Sequence, residues 1–209
     1  MKVRVLSRAE VEAGGAEGAD AVISIRSPTT TREPELTTAL TQATGGESAR
    51  LLRLVFDDVG IKDFGDYIHP TMDQIADAIE FGRSIRDGRN LFDGPSADPV
   101  IAVHCEHGKS RSAAVALALL ADHFGAGWER DAVNELMRGD IENRMHPNPL
   151  AVWFADACLL RTGRLEHVLA ELSPRYVLWR RYWTGVALDP LGHWQREVRM
   201  RHRRRRRTG

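Results

Sequence analysis

Cysteine is scarce in this chain, with Cys105 and Cys158 alone among 209 residues. A long apolar run is missing too. The most apolar stretch, 113–121, falls far short of the ~20 residues that cross a bilayer. The opening MKVRVLSRAE lacks the apolar centre of a secretory signal. Two thiols and no leader predict a reduced, cytoplasmic setting. Net charge is absent as well, since 29 Lys and Arg balance 29 Asp and Glu. That balance conceals a polarity. From Pro174 onward eleven arginines face only Asp189 and Glu197, a net of +9, so the preceding 173 residues carry −9. An acidic body with a basic tail follows.

What is present argues for a globular protein. An apolar share of 43% with 28% charged residues excludes wholesale disorder. The length predicts one domain with an extension rather than two domains, and no internal repeat is found. Aliphatic and β-branched runs at 2–6, 21–25, 51–56 and 99–105, bounded by turn residues, predict strands. Helical spacing is expected over 33–43 and 71–86, the second opened by Pro70. Segment 112–124 is almost all Ala, Val and Leu and predicts a helix buried on most sides. Further helices are expected at 128–137, 149–160 and 165–172. The Gly, Asp and Pro content of 86–99 predicts a surface loop, and the arginine-rich end predicts disorder. Alternating strands and helices imply an α/β domain whose central, mainly parallel sheet is flanked by helices.

The stretch HCEHGKSRS, from His104 to Ser112, can hold phosphate in two ways. Gly108-Lys109-Ser110 resembles the end of a nucleotide-binding loop, but that loop needs a glycine five positions earlier, where Val103 stands inside a predicted strand. The other reading fits. A cysteine ending a buried strand, five residues of loop and an arginine opening a buried helix would wrap backbone N–H groups around a tetrahedral dianion. The same positive potential favours an ionised sulfur at Cys105. Arg111 would grip two phosphate oxygens through its planar fork, which lysine cannot do. A lone buried cysteine is more often an inert packing residue, and Cys158 is read that way. Cys105 differs because Gly108, Arg111 and Ser112 accompany it at fixed spacing.

At these residues the chain resembles the cysteine-dependent protein tyrosine phosphatase superfamily, in its dual-specificity-like branch. His104, Cys105, Gly108, Arg111 and Ser112 match every fixed position of the loop. The segment RMHPNPLAVWFADACLLRTGRL resembles the ending of small bacterial members. The resemblance implies a protein tyrosine phosphatase-like catalytic domain over 1–163. Residues 164–209 are then a helical extension with the arginine-rich tail, which lies outside the resemblance. It further implies hydrolysis of phosphotyrosine, and of phosphoserine or phosphothreonine, through a cysteinyl-phosphate, with no cofactor and no metal. Cys105 is then the nucleophile, and Ser112 donates a hydrogen bond to its sulfur. His104 supports the loop through its ring nitrogens. Glu106, His107, Gly108, Lys109, Ser110 and Arg111 form the phosphate cradle. A general acid is expected after the third strand, where Asp58 is preferred to Asp57, with Asp63 and Asp66 following in the same segment.

The substrate stays open. Lysine neighbours in phosphoinositide phosphatases and a histidine at this loop position in RNA 5′-triphosphatases make Lys109 and His107 hints toward a phosphoinositide or an RNA 5′ end. A phosphate-recognising binding module with little catalysis is the reading from another class. Trp179, Trp183 and Trp194 are expected to pin a terminal helix to the domain, ahead of a stacking surface for bases. The arginine run predicts an anionic partner, nucleic acid or membrane surface.

Overall fold

A computed structural model of the chain describes residues 1–29, 33–88 and 98–208, with side chains through Met200. Strands β1 (Lys2–Ser7), β2 (Ala21–Arg26), β3 (Leu51–Val55) and β4 (Val100–Cys105) form one wholly parallel sheet in the order β1-β4-β2-β3. Nine helices are described: α1 (Arg8–Glu12), α2 (Pro34–Thr44), α3 (Met72–Asp87), α4 (Arg111–Phe124), α5 (Glu129–Arg138), α6 (Pro149–Cys158), α7 (Arg164–Leu172), α8 (Pro174–Leu188) and α9 (Pro190–Thr208). The expected α/β class is therefore observed. Of the loop expected at 86–99, Arg86 and Asp87 instead close α3, and 89–97 lie outside the described residues.

Successive side chains of a strand face opposite sides of its sheet, and the two central strands show it. Ile23, Ile25, Ile101, Val103 and Cys105 enter the larger core with α3 to α7, while Val22 and Ala102 meet Val11, Leu36 and Leu40 of α1 and α2. His104 consequently points to the α1–α2 side and Cys105 to the other. Helix α4 is buried continuously from Arg111 to Ala121, as its composition predicts. The chain steps outward from β2 to β3 and then returns to β4, between β1 and β2. The crevice beyond the carboxyl ends of strands at such a reversal is where open α/β sheets hold ligands.

Helix α1 was not foreseen in the sequence, and α8 and α9 were expected only as a helical extension without bounds. The single turn of α1 is held by a Ser7–Glu10 capping box and is too short to show a period. Helix α8 starts at Pro174, with the Ser173 side chain accepting from the Tyr176 N–H. The backbone of α9 is helical to Thr208, where composition predicts disorder; arginine is a good helix former. Leu165, Leu169 and Tyr176 belong to the main core, so α7 and the start of α8 pack as part of the same body as the sheet. A small separate core joins Val59 and Phe64 to Trp183 and Val186, with Trp179 and Trp194 against it. The tryptophans thus pin terminal helices, as expected.

Candidate active site

Cys105 closes β4 and is 3% exposed. The loop after it turns its carbonyls outward. Arg8 N–H donates to the Glu106 oxygen at 3.3 Å, His146 N–H to Lys109 at 2.9 Å and Asn148 N–H to Ser110 at 3.2 Å. A trans peptide sets its C=O and N–H in opposite directions, so the N–H groups of His107, Ser110 and Arg111 point away from the donors those carbonyls meet. Gly108 makes the tight return with φ +67°, and a Cβ there would sit 2.7 Å from the Ser7 nitrogen at the end of β1. Only glycine fits on both counts. Ser110 precedes α4 without capping it; its hydroxyl donates to Asp58 Oδ1 at 2.7 Å, leaving the first helical N–H groups toward the loop.

Arg111 is 5% exposed. Its Nη1 donates to Ser27 Oγ at 3.0 Å and to the Phe56 carbonyl at 2.9 Å, while its Nε is buried with no partner. Pinning one end this way leaves the Nε–Nη2 edge, the side that forms a two-pronged grip on an oxyanion. Arg111 and Cys105 line the same small cavity with Arg8, Ser27, His104 and Glu106. Ser112 Oγ lies 3.1 Å from Cys105 Sγ.

A cleft of about 630 Å³ shares Arg8, Ser27, Glu106 and Arg111 with this cavity and is lined further by His107, Asp57, Asp58, Phe64, Trp179, Tyr182 and Trp183. Both leading acid candidates therefore line the same cleft as Glu106, His107 and Arg111, whereas Asp63 and Asp66 are exposed and outside the cleft lining. Their bonding separates the pair. Asp57 spans its own loop, its Oδ2 accepting from Ile68 N–H at 3.0 Å and its N–H donating to the Ile68 oxygen at 2.7 Å. Asp58 Oδ1 instead accepts from Ser110 and from Asn148 Nδ2 at 2.9 Å, tying it to the loop between β4 and α4. Glu106 and His107 sit exposed at the rim, and Lys109 is not among the residues lining the cleft.

His104 departs from expectation. It is 1% exposed, and neither ring nitrogen reaches a partner with hydrogen-bond geometry, so the bracing expected through them is not observed. Burial, reinforced by the nearby guanidiniums of Arg26, Arg111 and Arg8, pushes its pKa down to about 4 although the Cys105 backbone opposes the shift. The ring is neutral at physiological pH and fills the wall behind the loop. Cys158 lies with its sulfur 3.8 Å from the Met72 carbonyl and lines neither cavity; burial raises its thiol pKa.

Ser27, Asn148, Tyr182 and the wall formed by Trp179 and Trp183 were not read as site residues in the sequence. Asn148 did carry a signal, because Asn-Pro marks a helix start, and its Oδ1 accepts from Ala151 N–H at 3.0 Å. Nothing local indicates that its amide also reaches Asp58 and the Val59 carbonyl.

No protein-family model and no curated protein sequence matches the chain. Among solved structures, PTPMT1 in complex with PI(5)P is similar at a TM-score of 0.46 and 16% identity, covering 77% of this chain and 94% of that one. Tk-PTP in the active form gives 0.45 and 15%, covering 77% and 93%. The Yvh1 phosphatase domain from Chaetomium thermophilum gives 0.44 and 18%, covering 78% and 92%.

Proposed function

We propose that the chain is a cysteine-dependent phosphatase that hydrolyses phosphotyrosine, and secondarily phosphoserine or phosphothreonine, in proteins. The observation that carries this reading is the Arg111 fork, pinned through Nη1 and buried with Nε unpaired in the cavity that Cys105 also lines. A phosphate there would accept from the loop N–H groups and the guanidinium edge while the sulfur faces phosphorus. The Cys105 thiolate attacks phosphorus and the bond to the leaving oxygen breaks as Asp58 delivers its proton. Water, deprotonated by the same carboxylate, then attacks the cysteinyl-phosphate. Sulfur departs with the Ser112 hydroxyl, 3.1 Å away, stabilising its charge. Preference for an aromatic ester is supported by the cleft walls of Phe64, Trp179, Tyr182 and Trp183. The absence of Lys109 from the cleft lining removes one motive for a phosphoinositide substrate.

The test is hydrolysis of para-nitrophenyl phosphate and of a phosphotyrosyl peptide by wild type and Cys105→Ser. The substitution is expected to lower turnover by at least ~10³-fold while phosphate binding, read by isothermal titration, persists. An unchanged rate removes Cys105 as nucleophile, and with it this function. Turnover of an inositol phospholipid or of triphosphorylated RNA, with none on the peptide, would keep the chemistry and replace the substrate.

A further inference from the structure

The segment between β3 and α3 carries Asp57 and Asp58, and on the side of α4 and α6 it is held at Asp58 and Val59 by Ser110 and Asn148 and at Lys62 by the Trp153 and Phe154 rings. Its two ends are tied by Asp57 to Ile68, and Asp58 meets Ser110 and Asn148. The middle of the segment has its apolar partners elsewhere, on α8 and α9. The Phe64 ring meets Trp183 edge-on at 5.7 Å between centroids and Trp194 at 5.8 Å, and Tyr67 meets Trp194 at 5.8 Å. The Tyr67 hydroxyl donates to Glu197 at 2.5 Å. Two glycines allow this fit. A Cβ at Gly60 would overlap the Trp183 ring, and one at Gly65, where φ is +62°, would lie 2.5 Å from the Trp194 ring. Both rings therefore lie on the backbone of the acid-bearing segment itself.

We propose that Trp194 and Trp183 are positioning residues that hold the acid-bearing segment over the phosphate loop, so that α8 and α9 are a working part of the catalytic site. This rests on the phosphatase reading above. The helices touch the middle of the proton donor's segment, whereas the sulfur is held by β4 and the guanidinium by Ser27 and by Phe56, the segment's first residue, whose N–H is anchored on the Arg26 carbonyl of β2. Loosening Trp194 should therefore impair leaving-group protonation and spare nucleophilic attack. Trp194 is the cleaner probe because, unlike Trp183, it is not among the residues lining the cleft.

The experiment compares kcat of wild type, Trp194→Leu, Asp58→Asn and the double variant on phenyl phosphate, whose leaving group needs a proton, and on a strongly activated aryl phosphate, whose leaving group does not. Trp194→Leu is expected to lower phenyl phosphate turnover on the order of 10²-fold, within the range a positioned acid contributes, with a several-fold smaller effect on the activated ester. It should add nothing further in the Asp58→Asn background. Trp194→Phe, which keeps an aromatic edge against Phe64, should restore most of the loss. If Trp194→Leu does not fold, Tyr67→Phe, which removes the hydroxyl and its bond to Glu197 while keeping the ring, should show the same leaving-group dependence at smaller size. A uniform fall on both esters, or full additivity with Asp58→Asn, overturns the proposal. A leaving-group-dependent loss in Trp194→Leu with none in Asp58→Asn supports it and moves the acid to another residue of the same segment. Inactivity of every form on both esters overturns the phosphatase reading, and the positioning role with it.

Discussion

At the scale of single residues, the candidate site depends on a few side chains whose surroundings leave no alternative. Gly108 cannot carry a Cβ against the end of β1, and Arg111 is oriented by the Ser27 hydroxyl and the Phe56 carbonyl. His104 makes a measurable prediction. Its folded pKa, about 4, lies below the ordinary 6.5, so the unfolded chain takes up a proton that the folded chain refuses. Its effect on stability is absent above the unfolded value and grows as pH falls toward the folded one. Between pH 7 and pH 5 this single group should cost roughly 2 kcal/mol of stability. Urea unfolding at the two pH values should show His104→Asn losing less stability over this interval than wild type. Equal losses would mean that the ring is not buried neutral.

At the scale of elements, α4, α6 and the segment after β3 converge on Asp58. Asn148 joins two of them, since one end of its amide caps α6 and the other donates to Asp58 and to the Val59 carbonyl. Substitutions can separate these tasks. Asn148→Ala should lose the cap, about 1 kcal/mol, along with the tie to Asp58. Asn148→Ser should keep most of the capping yet lower turnover on phenyl phosphate by roughly 10-fold, within the contribution of a positioned acid. Thermal melts paired with kinetics check this, and parallel falls in melting temperature and turnover would contradict it. The strands were legible to within one residue because short β-branched runs between turn signals have few other uses. Helix α4 was legible from its apolar composition. Helix α1 was too short to show a period, and α9 reads as low complexity although its backbone is helical.

At the scale of the whole molecule, the boundary expected at residue 163 falls between α6 and α7, both of which contribute to the larger core. Leu165, Leu169 and Tyr176 are fully buried in the core that contains the sheet and α4. Burying a large apolar side chain contributes ~1.5–3 kcal/mol, and a domain's net stability is commonly only ~5–15 kcal/mol. A chain ended at residue 163 should therefore lose most of its stability, seen as a lost or strongly lowered circular-dichroism melt. An unchanged melt would show that the first 163 residues fold independently. The arginine run, for which an anionic partner was expected, has its side chains outside the described residues.

The sequence alone determined the α/β class, the four strands and the position of the loop between β4 and α4 that carries Cys105, Gly108 and Arg111. Each of these rests on neighbours in the chain: alternation within a strand, and a glycine and an arginine at set distances from one cysteine. Only the tertiary structure decided which groups complete the site. Ser27 and Phe56 reach Arg111 across 84 and 55 positions, Asn148 reaches Asp58 across 90, and Tyr67 reaches Glu197 across 130. Contacts at such separations arise from how helices pack on a sheet, and no local pattern of residues encodes them.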